Sequence, residues 1–371
     1  MNILKSVCVF SVIFLFLMIS SDGIASNNVP LKVKEASPDS KLIINFDLVN
    51  LLLDASVLKM GASTRSSAKR KQPSGGTRLQ QSVNLTTDNE GNKFSYEFFK
   101  SNEQRKKLNA VKSYLENLPL KTPLNLYNKR EQLAYWLNLY NVTLVNEIVK
   151  IYPKRVLKSF LTGKSSIFHQ KIINVAALNL SLNDIQYKIL KKQYNSDALI
   201  LYGLYQGIIG GPDIRKEAFT GKNVYQLLED NAINFVNSNR GTSVNKFHNV
   251  RTSYFYQQNA TYFPRFNDDL KRHLLLYAND DITDEIMLAK ELKPNITNWK
   301  VNDLYGTIRT FGVGSSVTIL NANLEFMSNK QLAGKLSRNQ LTKLRELQTV
   351  RAKNLGGTSV TVTDLDPEDE N

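Results

Sequence analysis

Asn128 to Pro153, "NKREQLAYWLNLYNVTLVNEIVKIYP", carries the clearest helical pattern in the chain. At 100° per residue, Leu133, Leu137, Tyr140, Leu144 and Ile148 share one face, which predicts an amphipathic helix closed at Pro153. Leu42 to Met60 is strongly apolar without Gly or Pro and predicts a buried helix. Asn92 to Phe99 predicts a short strand, and Glu103 to Leu118 a helix ended by Pro119. "SLNDIQYKILKKQY" predicts a helix from Ser181, with Ser181 as N-cap and Asp184 three residues on as its capping-box partner. The apolar run from Leu199 predicts a strand leading into a turn at Gly210-Gly211-Pro212-Asp213. Asn223 to Asn239 is an amphipathic helix, and "RTSYFYQQNATYFP" alternates aromatics until Pro264 breaks it. "DDLKRHLLLYA" and "DEIMLAKELKP" read as helices, and "NWKVNDLYG" closes the main domain at Gly306. Helices dominate over a few short strands, which predicts an α+β fold with a single core domain.

The two ends of the chain read differently. Lys5 precedes an apolar run, Val7 to Ile19, that is shorter than the roughly 18 residues of a membrane span, and Gly23-Ile24-Ala25 offers small residues for cleavage. Residues 1–25 therefore read as a secretory signal peptide, with an uncleaved anchor as the alternative, and the protein as secreted or periplasmic with no span after cleavage. Residues 26–306 form the expected core. Within it Gly61 to Arg78, rich in Gly, Ser and bases, predicts a mobile loop. Residues 307–371 read as an extension with a basic helix, Arg338 to Lys353, and an acidic tail, "DLDPEDEN".

Composition narrows the chemistry. Cys8 is the only cysteine and lies in the signal, so a mature chain has no disulfide, thiol nucleophile or Cys-ligated metal. His169, His248 and His273 have no metal-ligand spacing, and no phosphate loop or dinucleotide fingerprint occurs, so no metal or cofactor is expected. Asn-x-Ser/Thr triplets at Asn84, Asn141, Asn179, Asn259 and Asn295 match what so many Asn, Ser and Thr produce by chance. The net charge of +15 favours anionic surfaces, although bases scattered through predicted helices first read as solubility. Lys69, Arg70 and Lys71 are the candidates for contact with an anionic polymer; nucleic acid does not fit an exported protein.

The remaining constellation is polar and aromatic. Asn141 falls inside the apolar stripe of its helix and Asn138 on its flank. A buried amide left without hydrogen bonds costs about 1–3 kcal/mol, so Asn141 is either a clamp on another segment or a site residue. Tyr202, Tyr205, Gln206, Gly210, Gly211 and Arg215 complete the ligand-binding candidates. In a strand, Tyr202 and Gln206 share one face and Tyr205 takes the other. The Gly210 and Gly211 amides are candidate anion holders and Asp213 a candidate base, or else Asp213 caps the next helix.

Three segments resemble one family. "EQLAYWLNLYNVTLVNEIVKIYP" is similar to the signature helix of the domain of unknown function 547 family, with Trp136, Asn138, Leu139, Tyr140 and Asn141 in its motif positions. "LSLNDIQYKIL" and "DALILYGLYQGIIGGPDIRKEAFTG" resemble two later family segments, and the likeness runs from about Leu42 to Gly306. The resemblance implies an exported or membrane-associated bacterial domain of undefined activity, with relatives in plants and animals. Leu201 stands where the family often has His, and Gln206 and Gly211 where it often has Cys, so imidazole or thiol chemistry does not carry over. Two functions follow as expectations. One is a non-catalytic envelope protein binding a ligand or partner through the surface from Tyr202 to Arg215. The other is a hydrolase or transferase on an envelope polymer, using Asp213 as base and the Gly210-Gly211 amides.

Overall fold

A computed structural model describes residues 36–65, 87–88, 90–244 and 250–304. The expected signal segment, Lys69, Arg70 and Lys71 with most of their expected loop, Asn84, His248 and the expected 307–371 extension lie outside the described residues.

The chain enters through α1 (Asp47–Ser56) and β1 (Val57–Leu58), and continues through β2 (Lys93–Phe94), α2 (Asn102–Lys121), α3 (Lys129–Ile151) and α4 (Lys158–Leu161). The hairpin β3 (Ile173–Val175) and β4 (Leu178–Leu180) leads to a π-helical segment, Asp184–Leu190, and α5 (Lys191–Gln193). After a 3₁₀ turn, Ala198–Gly203, come α6 (Val224–Val236), β5 (Thr242–Val244), β6 (Val250–Ser253), α7 (Tyr254–Gln258), α8 (Phe266–Leu275), α9 (Asp280–Leu288) and β7 (Leu292–Ile296). The strands form small sheets: β1 antiparallel to β2, β3 to β4, and β6 between antiparallel β5 and parallel β7. This is the expected α+β class.

α3 is the hub. Asn128 caps it by accepting the Glu131 N–H at 3.0 Å. Every residue from Glu131 to Val149 is buried, so the stripe expected from the sequence is one side of a helix enclosed on all sides. Its buried polar groups are spent on neighbouring segments. Gln132 donates to the Leu124 and Tyr127 carbonyls, and Asn146 donates to Asn109 Oδ1 at 2.6 Å.

Several expected elements end elsewhere, each for a physical reason. The predicted helix over Leu42–Met60 is only α1, and Leu48 and Leu51 face solvent while Val49 and Leu53 turn inward. α2 does not stop at Pro119 but runs through it to Lys121. Proline cannot donate to the carbonyl four residues back, and here the Tyr135 hydroxyl donates to that orphan, Leu115 O, at 2.9 Å. Asn92–Phe99 is strand only at Lys93–Phe94 and then a 3₁₀ turn from Tyr96 to Lys100. The aromatic run after Arg251 leaves the strand at Ser253, whose Oγ accepts the Phe255 N–H at 3.2 Å and opens α7. The helix predicted over 284–294 stops at Leu288, and Leu292–Ile296 joins the sheet. The capping box holds: the Ser181 N–H and hydroxyl donate to Asp184 Oδ2 at 2.7 and 2.8 Å, and the Asp184 N–H donates to Ser181 Oγ at 3.1 Å.

Candidate functional site

The segment that carries the candidates is not a strand. Asn195 and Ser196 adopt positive φ, and the Asp197 carboxylate accepts the Leu199 N–H at 2.9 Å, which winds Ala198–Gly203 into a 3₁₀ turn. Strand alternation therefore does not sort Tyr202, Tyr205 and Gln206 onto faces. Every residue from Leu199 to Arg215 is buried, so the segment is interior rather than a surface.

Asparagines from distant helices hold this irregular backbone. Asn141 donates to Gly203 O at 2.9 Å and accepts the Tyr205 N–H at 3.0 Å. Asn138 donates to Phe219 O at 2.7 Å and accepts the Phe219 N–H at 3.1 Å. Asn231 of α6 donates to Tyr202 O and Asp213 O at 2.9 and 3.1 Å. A side-chain amide offers a donor and an acceptor in one plane, so it can replace the partner strand such a backbone lacks. Asn138 and Asn141 of α3 are both clamps.

The two glycine amides are engaged. Gly210 N–H donates to Asn298 O at 2.9 Å, and Gly211 N–H donates to Ile208 O at 3.3 Å. Their carbonyls accept from Ser253 Oγ at 3.1 Å and Arg240 Nη1 at 2.7 Å. Gly210 is needed for close approach, because a Cβ there would lie 2.8 Å from the Asn298 backbone nitrogen. Gly211 lies against Gln206, with its Cβ position 3.1 Å from Gln206 Cβ.

Asp213 lies neither in an open cleft nor at a helix end. It is 6% exposed, pairs with Arg240 Nη2 at 2.9 Å and accepts the Asn92 N–H at 2.8 Å. Arg240, 1% exposed, also stacks its guanidinium over the Phe235 ring at 5.2 Å. Asp88 and residues 90–93 are laid over this pair. Glu90 accepts the Asn239 and Arg240 N–H groups, both at 2.9 Å, and Asn92 Nδ2 donates to Ile214 O at 2.9 Å. Asp88 accepts Asn298 Nδ2 at 2.7 Å and Lys300 Nζ at 2.6 Å. Gly91, at φ +76°, passes so close that a Cβ would lie 2.5 Å from Arg240 Nη1. Lys93 is wholly buried and donates to Glu90 O at 2.8 Å and Asp88 O at 3.2 Å. Burial first, and Arg240 second, push its pKa down to about 7 against the pull of Asp213, Asp88 and Glu90.

The two tyrosines sit in separate aromatic groups. Tyr205 Oη lies 3.2 Å from Tyr96 Oη, while Tyr202 Oη reaches Tyr256 Oη at 3.1 Å and His273 Nε2 at 3.0 Å. Arg215 donates to Asn231 Oδ1 at 3.0 Å and lies 3.4 Å from Asp230, while its buried Nε has no partner among the described residues. A narrow pocket runs beside it. Val49 and Leu53 of α1, Val142 and Phe219 form its apolar wall, and Asn138, Asn141 and Arg215 border it. Three candidates thus meet at one opening, whereas Tyr202, Tyr205, Gln206, Gly210, Gly211 and Asp213 do not line it. Among the described residues no group of His, Cys, Asp and Glu could hold a metal ion, and no helix is long and apolar enough to cross a membrane.

Arg240, Glu90, Asn92, Lys93 and Asn231 were not legible as partners of this segment, since they are remote in sequence and carry no motif. A different signal was legible. From Ile148 to Asn183 there is no Asp or Glu, while Lys150, Lys154, Arg155, Lys158, Lys164 and Lys171 all fall there. The bases are not evenly scattered.

Residues 124–236 match the model of the family described as "Protein of unknown function, DUF547". That span runs from the turn before α3 to the end of α6 and includes Asn138, Asn141 and the whole Leu199–Arg215 segment. It is narrower than the likeness from Leu42 to Gly306 and leaves out Arg240 and residues 88–93. No curated protein and no solved structure gives a significant match to the chain.

Proposed function

We propose that the chain is an exported, non-catalytic protein of the cell envelope that binds a ligand or partner, with the pocket between α1, α3 and Ile214–Phe219 as its binding point. The observation that carries this reading is the state of Asp213: buried, paired with Arg240 and covered by residues 90–93. A general base needs access to the proton it takes, and an anion holder needs free N–H groups. Here the carboxylate faces a guanidinium, and both glycine amides are already bonded. Beside the Arg215 end of the segment lies a narrow pocket of about 10 Å³, room for one water-sized group, with an apolar wall and the buried, unpartnered Arg215 Nε at its border.

Crystals soaked in soluble fragments of envelope polymers and lipid headgroups test this. The expected result is a chemically intact fragment seated against Arg215, lost in Arg215→Ala. Cleavage or transfer of a fragment in solution, abolished by Asp213→Asn in a still-folded protein, would overturn it.

A further inference from the structure

The acid-free stretch after α3 forms a surface that the pocket does not use. Lys154, Arg155, Lys158 and Lys164 are all exposed, and none has an ion-pair partner among the described residues. Lys154 Nζ donates only to the neutral Ser159 hydroxyl, at 3.1 Å. Some bases elsewhere are offset by acids, as Lys171 and Lys188 are by a shared Asp184. Four uncompensated cations within residues 154–164 make a concentrated positive field.

The platform is fixed in place. Leu157 N–H donates to Trp299 O and Val301 N–H donates to Arg155 O, both at 2.8 Å, and buried Leu157 and Leu161 anchor α4 beneath it. Apolar side chains stand among the charges. Val156 is 52% exposed between Arg155 and Lys158, half-buried Trp299 runs alongside, and its ring meets the exposed Tyr254 ring edge-on at 6.1 Å. A soluble polyanion without bases to stack needs only cations. Cations interleaved with an exposed aliphatic group and a Trp–Tyr pair match the headgroup level of a bilayer, where amphipathic rings settle and bases meet anionic lipid.

We infer that the surface formed by Lys154–Lys164, Trp299 and Tyr254 docks on an anionic lipid bilayer. This stands independently of the ligand pocket. Co-sedimentation of the full chain with vesicles of phosphatidylcholine, alone or mixed equally with phosphatidylglycerol, reads it directly. Neutral vesicles report any binding through apolar segments. Preference for the anionic vesicles is expected, weakening as salt rises. Lys154→Gln/Arg155→Gln/Lys158→Gln should reduce that preference about a hundredfold. Val156→Ser should weaken it at every salt concentration. Lys106→Gln/Lys121→Gln/Lys290→Gln removes the same charge from exposed positions elsewhere and should leave it intact. Equal losses in the two triple variants, an unchanged preference in the first, or binding to dextran sulfate but not to vesicles would each overturn the inference.

Discussion

Asp213 and Arg240 are a buried pair, and such pairs matter most when only one member is removed. Asp213→Asn keeps an acceptor for the Asn92 N–H but leaves Arg240 facing no charge. It should cost about 3 kcal/mol or more in urea unfolding, and Arg240→Met a similar amount. The double variant should cost at least about 1 kcal/mol less than the sum, and strict additivity would show that the pair is not coupled. A second residue-scale consequence concerns Gln206 and Gly211, whose Cβ positions approach to 3.1 Å. Disulfides need about 3.5–4.5 Å, a small adjustment. In a Cys8→Ser background, Gln206→Cys/Gly211→Cys should oxidise in air to a species with no free thiol by Ellman titration. Two persistent thiols would place the positions farther apart than described.

Helices with strong periodicity and a capping residue were legible in the sequence; elements held by remote side chains were not. α3 was readable because its pattern runs for many turns behind the Asn128 cap. α2 was misread at Pro119 because the group that makes proline tolerable, the Tyr135 hydroxyl, belongs to another helix. Tyr135→Phe should leave Leu115 O unsatisfied at a cost of about 1–2 kcal/mol, with faster amide exchange confined to the last turn of α2. Unchanged exchange there would mean that the carbonyl finds another donor. The 3₁₀ turn at Ala198–Gly203 was misread as a strand because a short apolar run fits both states. Its decisive bonds come from Asn141 and Asn231, which no local pattern could reveal. The candidate site was legible to the same degree. Asn138 and Asn141 stood out as buried amides, but what they hold could not be read.

Across the whole molecule, buried Lys93 and part-buried His273 set opposite ends of the pH response. His273 is packed among the rings of Tyr202, Phe263 and Tyr277, and burial lowers its pKa from 6.5 to about 4. Its unfolded form binds a proton more readily, so its contribution is complete above about pH 6.5 and is lost as pH falls toward 4. Lys93, lowered from 10.5 to about 7, contributes fully above about pH 10 and progressively less as pH falls toward 7. Melting curves should therefore show stability falling between pH 6.5 and 4, with a shallower fall in His273→Phe. They should also show an alkaline rise that Lys93→Met removes. A His273→Phe profile parallel to the parent would rule out the histidine as the acid-sensitive group.

The asparagine clamps carry a consequence for descent. Where a sheet dictates a path, a strand's own residues must suit that path. From Gly203 to Phe219, α3 and α6 supply much of what fixes the route, through Asn138, Asn141 and Asn231. The inner lining of that route is thereby released from the duty of shaping it. A lineage could exchange side chains along that lining, at positions such as Leu201 and Gln206, while the trace of the chain stayed the same. The path of the segment is then written in the helices that grip it more than in the segment itself.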